Sequence, residues 1–342
     1  MASIPWSDEE IRIIRDNYEK VDCVSDMMVL LPGRTYNSIR TKARDLGLIS
    51  RFLPTHNEEF FNEPSEINCA IAGFVAADGC VTDKGRLTIN IGRKDREHLV
   101  RIAKLTEYEG NVYDYQSRFS VAIDSEGKPV RIPGTTLTSN VQIQAPTWIQ
   151  DFEKHWGIVP RKTFLMKAPN ISGNRLCLAY ISGLIDGDGW IGVSSPESYM
   201  IGLMGTKELM TWVKQIFDSM STLCSRTPSH LKSVSEKNSF EYKVSGVKAY
   251  WIGKLFLTLD IPRLDRKWDN LRHFISIVEG RKTHSKRMIT NLNKIKPSDD
   301  VLKEFGIYEQ SKSFLSSLVV SPKSSSENLS IEEDDTLSDP DM

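Results

Sequence analysis

The chain of 342 residues is too long for one ordinary domain and long enough for two or three that each bury a core. With 39% hydrophobic and 26% charged residues it has a soluble globular make-up, and no run approaches the ~20 uncharged apolar residues that span a bilayer, so no membrane partner is expected. The net charge of −1 hides an asymmetry: residues 309–342 hold eight acids and two bases, which leaves 42 basic against 37 acidic residues in the body. A mildly basic body permits nucleic-acid binding. The tail, containing SPKSSSENLSIEEDD, is rich in Ser and acid and is expected to be disordered. MASIPWSDEE shows no signal peptide. Cys23, Cys69, Cys80, Cys177 and Cys224 form no C-x-x-C pair and read as reduced thiols of an intracellular protein, with neither zinc site nor disulfide framework.

Residues 6–49 read as three short helices. Ser7 and Glu10 make an S-x-x-E capping box, followed by Ile11, Ile14 and Tyr18 at helical spacing. A second helix covers Val24 to Leu30 and stops at Pro32-Gly33. The third begins after Thr35, sets Ile39, Ala43 and Leu46 on its apolar face, and ends at Gly47. Its other faces carry Arg40, Lys42 and Arg44, with Arg34 just before it, the form of a helix that enters a major groove. On charge alone a solvated basic face would look the same. The fuller pattern, WSDEE with LPGRTYNSIRTKARDLGL, resembles the Myb/SANT-like helix-turn-helix family, and the resemblance implies DNA binding through the third helix and its four basic residues.

Further along, YISGLIDGDGWIG (residues 180–192) matches G-x-G-x-x-G at Gly187, Gly189 and Gly192, with Glu208 placed for a ribose-binding acid. An internal repeat argues against a dinucleotide cradle. IAGFVAADG at 71–79 echoes ISGLIDGDG at 181–189, Lys94 is answered by Lys207, and Lys162 by Lys267. The offsets are 110, 113 and 105 residues (188 less 78, 207 less 94, 267 less 162). The first copy lacks the third glycine. Cys69 to Ala77 and Leu176 to Ile185 read as helices, whereas RLTINIG (86–92) alternates like a strand, so the strand-then-helix order of a nucleotide turn is reversed.

Both segments resemble the LAGLIDADG motif, and two copies at this separation resemble the single-chain LAGLIDADG homing endonucleases over residues 65–285. The first copy departs at Ala76, where the family has an acid. The resemblance implies an α+β fold: two pseudo-symmetric αββαββα units forming a saddle of antiparallel sheets, preceded by the small all-α helix-turn-helix domain. The division expected is 1–50 helix-turn-helix, 51–66 linker, 67–170 first unit, 171–290 second unit and 291–342 a C-terminal extension ending in the acidic tail.

Small residues four apart, Gly73 and Ala77, Gly183 and Gly187, give each motif helix a face on which another backbone can approach. Packed about a pseudo-two-fold axis, the helices bring Asp78 and Asp188 together at their C-termini, with Gly79 and Gly189 as left-handed C′ residues. Two like charges then meet where the helix dipoles are also negative, and divalent cations are the natural compensation. Oxygen donors with no Cys or His nearby favour Mg²⁺, with Mn²⁺ as a substitute. The family resemblance implies that each Asp serves one DNA strand, cutting across the minor groove to leave 3′ overhangs. It implies that the carbonyls of Ala77 and Gly187 also bind metal, that Lys162 and Lys267 polarise water or stabilise developing charge, and that Lys94 and Lys207 lie around the attacking water. On the sheets, Arg86, Thr88 and Asn90, and Asn140, Gln142 and Gln144, alternate with apolar residues and offer groups to base edges. RKTHSKR (281–287) adds phosphate contacts.

The sequence therefore leads to a free-standing, monomeric, site-specific double-strand DNA endonuclease with a long recognition site, a mobile element of intron homing in the cytoplasm of a phage or bacterial host. Splicing residues of an intein are not seen at the ends. A LAGLIDADG RNA maturase acting on intron RNA, or a DNA-binding regulator, is the alternative; nicotinamide binding is a third.

Overall fold

The computed structural model describes residues 5–21, 24–48, 54–116, 119–123, 128–134, 136–162, 165–195, 198–220, 232–235, 238–281 and 283–319. Helices α1 (Asp8–Asn17), α2 (Val24–Leu30) and α3 (Tyr36–Asp45) open the chain. Ser7 and Glu10 close the reciprocal capping box at α1, and the Thr35 side chain accepts from the Ser38 amide at α3. Ile14, Tyr18, Met27, Leu31, Ile39 and Ala43 form a small core of their own. Gly47, at φ 75°, ends α3 in the left-handed region that favours glycine.

Two similar runs follow. The first comprises α4 (Glu66–Asp78), β1 (Gly79–Val81), β2 (Arg86–Gly92), α5 (Arg96–Leu105), β3 (Tyr113–Gln116), β4 (Phe119–Ile123), β5 (Pro129–Pro133), β6 (Leu137–Gln144) and α6 (Pro146–Trp156). The second comprises α7 (Asn174–Asp188), β7 (Trp190–Ser195), β8 (Ser198–Gly205), α8 (Lys207–Ser219), β9 (Lys232–Ser235), β10 (Ser239–Ser245), α9 (Gly246–Leu257) and α10 (Asp265–Gly280). Among the described residues the sheets are antiparallel, in the order β1-β2-β6-β3 and β7-β8-β10-β9, so the repeat read from the sequence is also a repeat of topology. The first run carries an additional hairpin, β4 with β5, that pairs only with itself.

Alternation along the strands sets one face of each sheet into the core. Leu87, Ile89, Ile91, Val141 and Ile143 are buried in the first sheet; Ile191, Ile201, Leu203, Tyr242 and Val244 are buried in the second. Between the sheets α4 and α7 pack backbone to backbone. A Cβ at Gly73 would stand 2.0 Å from the Tyr180 carbonyl oxygen, and one at Gly183 would stand 1.9 Å from that of Ala70, so only glycine fits at either place. Outside this contact Arg175 reaches from α7 to Glu66 on α4, with Nη2 to Oε2 at 3.0 Å, and Arg266 grips Asp95 with two bonds of 2.7 and 2.8 Å. One core runs from Phe61 to Ile307 through both runs and into helices α11 (Lys286–Lys294) and α12 (Asp299–Glu304).

Two expectations are corrected here. Gly79 and Gly189 follow the motif helices with φ of −78° and −95°, in extended rather than left-handed backbone. Glycine is needed there for space: a Cβ at Gly79 would lie 2.6 Å from the Val75 carbonyl oxygen, and one at Gly189 would lie 2.5 Å from the Ile185 Cα. The segment from residue 309 is not all tail, because α13 (Tyr308–Ser317) is helical and packs Phe314, Leu315 and Leu318 against the core. Residues 320–342 lie outside the described residues, as do Cys23, Cys224 and Lys282. Cys69, Cys80 and Cys177 are free thiols. Among the described residues no helix is long and apolar enough to cross a membrane.

Candidate active site and nucleic-acid interface

The close approach of α4 and α7 carries both motif acids to one place. A Cβ at Gly187 would lie 2.2 Å from the Ala77 Cβ and 3.3 Å from the carboxyl carbon of Asp78, so the last turns of the two helices touch. Asp78 and Asp188 end their helices and reach the surface. Protein packed around the Asp78 carboxyl raises its pKa above the ordinary value; the Asp188 charge raises it further, against the pull of Lys267 and Lys162. Neither acid makes an ion pair among the described residues. No three His, Cys, Asp or Glu side chains gather among them either, so the donor set at this place is two carboxylates and main-chain carbonyls. Hard cations such as Mg²⁺ or Mn²⁺ suit that set, and the mutual repulsion of the carboxylates favours such a charge.

Lys162 and Lys267 arrive at the ends of these helices with their amino groups occupied by carbonyls. Lys162 donates to the carbonyls of Ala76 and Ala77, the latter at 3.0 Å. Lys267 donates to Ile185, Asp186, Gly187 and Gly189 at 2.7–2.9 Å. Each lysine therefore caps a motif helix whose last carbonyls have no partner within the helix, and offsets the negative end of its dipole. Burial lowers the pKa of both; for Lys162 the charges of Asp188 and Asp78 oppose this, and for Lys267 that of Asp186 does so first. The Ala77 and Gly187 carbonyls each keep a second lone pair for another partner.

Lys94 and Lys207 are exposed, Lys94 in the turn after β2 and Lys207 at the start of α8, and neither pairs with a motif acid. Two further groups lie beside the motif helices. Asp95 with Arg266 forms a bridge between the runs beside Lys267. Asp186, 2% exposed, accepts from Trp268 Nε1 at 2.7 Å while its Oδ2 has no partner among the described residues, and burial pushes its pKa up to about 7. Its counterpart in the first copy is Ala76, the position where the motif departs from the family pattern, and that departure was the available signal.

On the first sheet Arg86, Asn90 and Gln142 are exposed, and Thr88 and Gln144 are half-buried, all on the side away from the core. Asn140 shares that side but is 8% exposed and donates to the Ile89 carbonyl at 3.3 Å, so its amide is engaged within the sheet. The Gln144 amide donates to Lys84 at 2.6 Å. In the N-terminal helices Arg40 and Arg44 are exposed and Lys42 is half-exposed. Arg34 is engaged within the helical unit: its guanidinium holds Glu10 through Nε and Nη2 at 2.7 Å each and lies over the Trp6 ring at 4.1 Å. That pairing holds Glu10 down at about 2. In the 281–287 segment, Arg281, Lys286 and Arg287 are exposed and His284 is buried.

No family model matches the chain. Over 58 residues it is 38% identical to the uncharacterized protein Lin2408 of Listeria innocua, a match covering 17% of this chain and 74% of Lin2408. Through that segment the chain belongs to the family of Lin2408. Lin2600 and Lin1255/Lin1742 of the same organism are also 38% identical, over 58 and 56 residues, and the chain spans about a quarter of their length, 25% and 24%. Among solved structures, the I-LtrWI LAGLIDADG homing endonuclease bound to target DNA is similar at 12% identity and a TM-score of 0.37, over 70% of this chain and 97% of that one. I-SmaMI bound to uncleaved DNA target in the presence of calcium ions is similar at 10% identity and a TM-score of 0.40, over 73% and 98%. I-WcaI bound to its DNA recognition sequence stands at 12% and 0.36, over 72% and 98%.

Proposed function

We propose that this relative of Lin2408 is a site-specific, metal-dependent double-strand DNA endonuclease of the LAGLIDADG type. The observation that carries the reading is the meeting of Asp78 and Asp188 at the touching ends of two repeated helices, each flanked by a sheet with an open face. Asp78 and Asp188, with the Ala77 and Gly187 carbonyls, would hold divalent metal, Mg²⁺ in the cell. Bound there, the metal supplies a polarised water and charge stabilisation for hydrolysis of one phosphodiester per strand. Lys162 and Lys267 fix the helix ends and so orient both carbonyls and carboxylates. Across the minor groove the two acids address opposite strands and leave 3′ overhangs. Residues 67–170 and 171–290 are the two units of the nuclease, residues 51–66 a linker, and residues 1–50 a helix-turn-helix that adds contacts through Arg40, Lys42 and Arg44. The partner is double-stranded DNA with a long recognition site, bound by a monomer.

The test is to incubate the purified chain and Mg²⁺ with a genomic or randomised DNA library and sequence the ends. Paired breaks at one sequence with 3′ overhangs are expected. Asp78→Asn and Asp188→Asn should each abolish double-strand cutting while gel-shift binding persists. Full metal-dependent cleavage by the double variant would overturn the assignment, and splicing of the surrounding intron RNA without DNA cutting would replace it with maturase activity.

A further inference from the structure

The open faces of the two sheets can be compared row by row, because each keeps the same register to its acid. Two residues after Asp78 stands Cys80, paired with Thr88, which pairs in turn with Gln142. Two residues after Asp188 stands Trp190, paired with Gly202, which pairs with Lys243. One row nearer the acids, Asn90 lies opposite Asn140 in the first sheet, and Met204 opposite Glu241 in the second. One row further away, Arg86 lies opposite Gln144, and Met200 opposite Ser245. The chemistry of matched positions therefore differs. Arg86, Asn90 and Gln142 can each make two hydrogen bonds to one base edge. The counterparts of Arg86 and Asn90 are Met200 and Met204, and Met204 is 37% exposed. A Cβ at Gly202 would stand 2.2 Å from Trp190 Cζ2, so the indole covers the strand at that row and adds an apolar surface between the methionines.

We infer that the second sheet reads its half of a DNA duplex through apolar contact with the 5-methyl groups of thymine, whereas the first reads its half through hydrogen bonds. In the major groove the thymine methyl is the apolar feature that distinguishes one base pair from another, and thioether and indole surfaces are suited to it. Lys243, exposed in the middle row, is paired with Glu241 at 3.4 Å, so the apolar side chains of β8 and Trp190 are the groups of this face that remain for a base edge. The inference rests on the nuclease reading above and assigns the two halves of its target different alphabets: mixed sequence under Arg86, Asn90 and Gln142, thymine under Met200, Met204 and Trp190.

The test uses the full chain and the duplex selected from a randomised library, with Ca²⁺ in place of Mg²⁺. Gln142→Ala identifies the half read by the first sheet, because base preference relaxes there. Deoxyuridine, which lacks the methyl, is then substituted for thymidine in one half at a time. Loss of one buried methyl contact weakens binding about fourfold, so the half under the second sheet should lose about that factor per contacted thymine. The other half should change less than twofold. Met204→Gln, a surface change, should remove the penalty at its own position. Equal penalties in the two halves, or none in either, with the unmodified duplex still bound, overturn the inference and leave the nuclease reading standing. Absence of any sequence-selected binding overturns both.

Discussion

His98 ties the stability of the chain to pH. Its ring stands edge-on to Phe74 at 4.6 Å and is 4% exposed, and burial, with Arg101 nearby, pushes its pKa down to about 4 from 6.5. The unfolded chain takes up a proton below 6.5 that the folded chain refuses until about 4. Stability from this group is therefore complete above pH 6.5 and declines toward pH 4, by up to roughly 3 kcal/mol. Urea titrations at pH 7 and pH 4.5 should show the decline, and His98→Leu should flatten it. Lys267 serves four carbonyls where Lys162 serves two. Lys267→Met should cost about 2–4 kcal/mol in the same titration, and Lys162→Met less, since carbonyls left unmatched in a buried place are penalised individually. Asp78 and Asp188 were legible in the sequence because two copies of one short pattern locate them. The carbonyl partners of each lysine were not. Lys162 finds Ala77 across 85 positions and Lys267 finds Gly187 across 80, approaches that only the assembled helices determine.

Helices and strands with strong periodicity were read close to their bounds: α2 covers Val24–Leu30 and β2 covers Arg86–Gly92 as expected. The β4–β5 hairpin escaped because its strands are five residues each, pair only with one another, and begin and end with proline in β5. Helix α13 escaped because its residues were averaged with the acidic stretch that follows. The glycines show how one residue type serves different ends. Gly73→Ala or Gly183→Ala forces a methyl group into a carbonyl oxygen of the facing helix and should cost more than 3 kcal/mol, enough to prevent cooperative folding. Gly192 has nothing within 4 Å of its would-be Cβ, so Gly192→Ala should leave the midpoint of denaturation within about 0.5 kcal/mol of the parent. Circular dichroism melts of the three variants check the contrast, which the G-x-G-x-x-G spacing alone would not have drawn.

At the scale of the molecule, the helices after residue 281 are structural members of the main body. Leu292, Val301, Leu302, Phe305 and Ile307 are buried there, and Trp251 Nε1 donates to the Leu292 carbonyl at 3.1 Å. Burial of five such side chains contributes about 1.5–3 kcal/mol each, comparable with the ~5–15 kcal/mol that holds a whole domain folded. A chain ending at residue 281 should therefore lose its cooperative melt in calorimetry. Removing residues 1–53 should leave the main transition in place, because α1 to α3 close a core of their own. The contact between α4 and α7 has another consequence. At Gly73 and Gly183 main chain meets main chain, and main chain is the same in every protein. A half borrowed from another sequence would fit against either helix wherever it kept the small residues. Its side chains would be judged around that joint, where Glu66 meets Arg175, Asp95 meets Arg266, Arg101 meets Asp265 and the Tyr180 hydroxyl donates to the Trp156 carbonyl. The two glycine crossings at the centre of the molecule are thus indifferent to side-chain identity, and the two halves recognise one another through the side chains packed around those crossings.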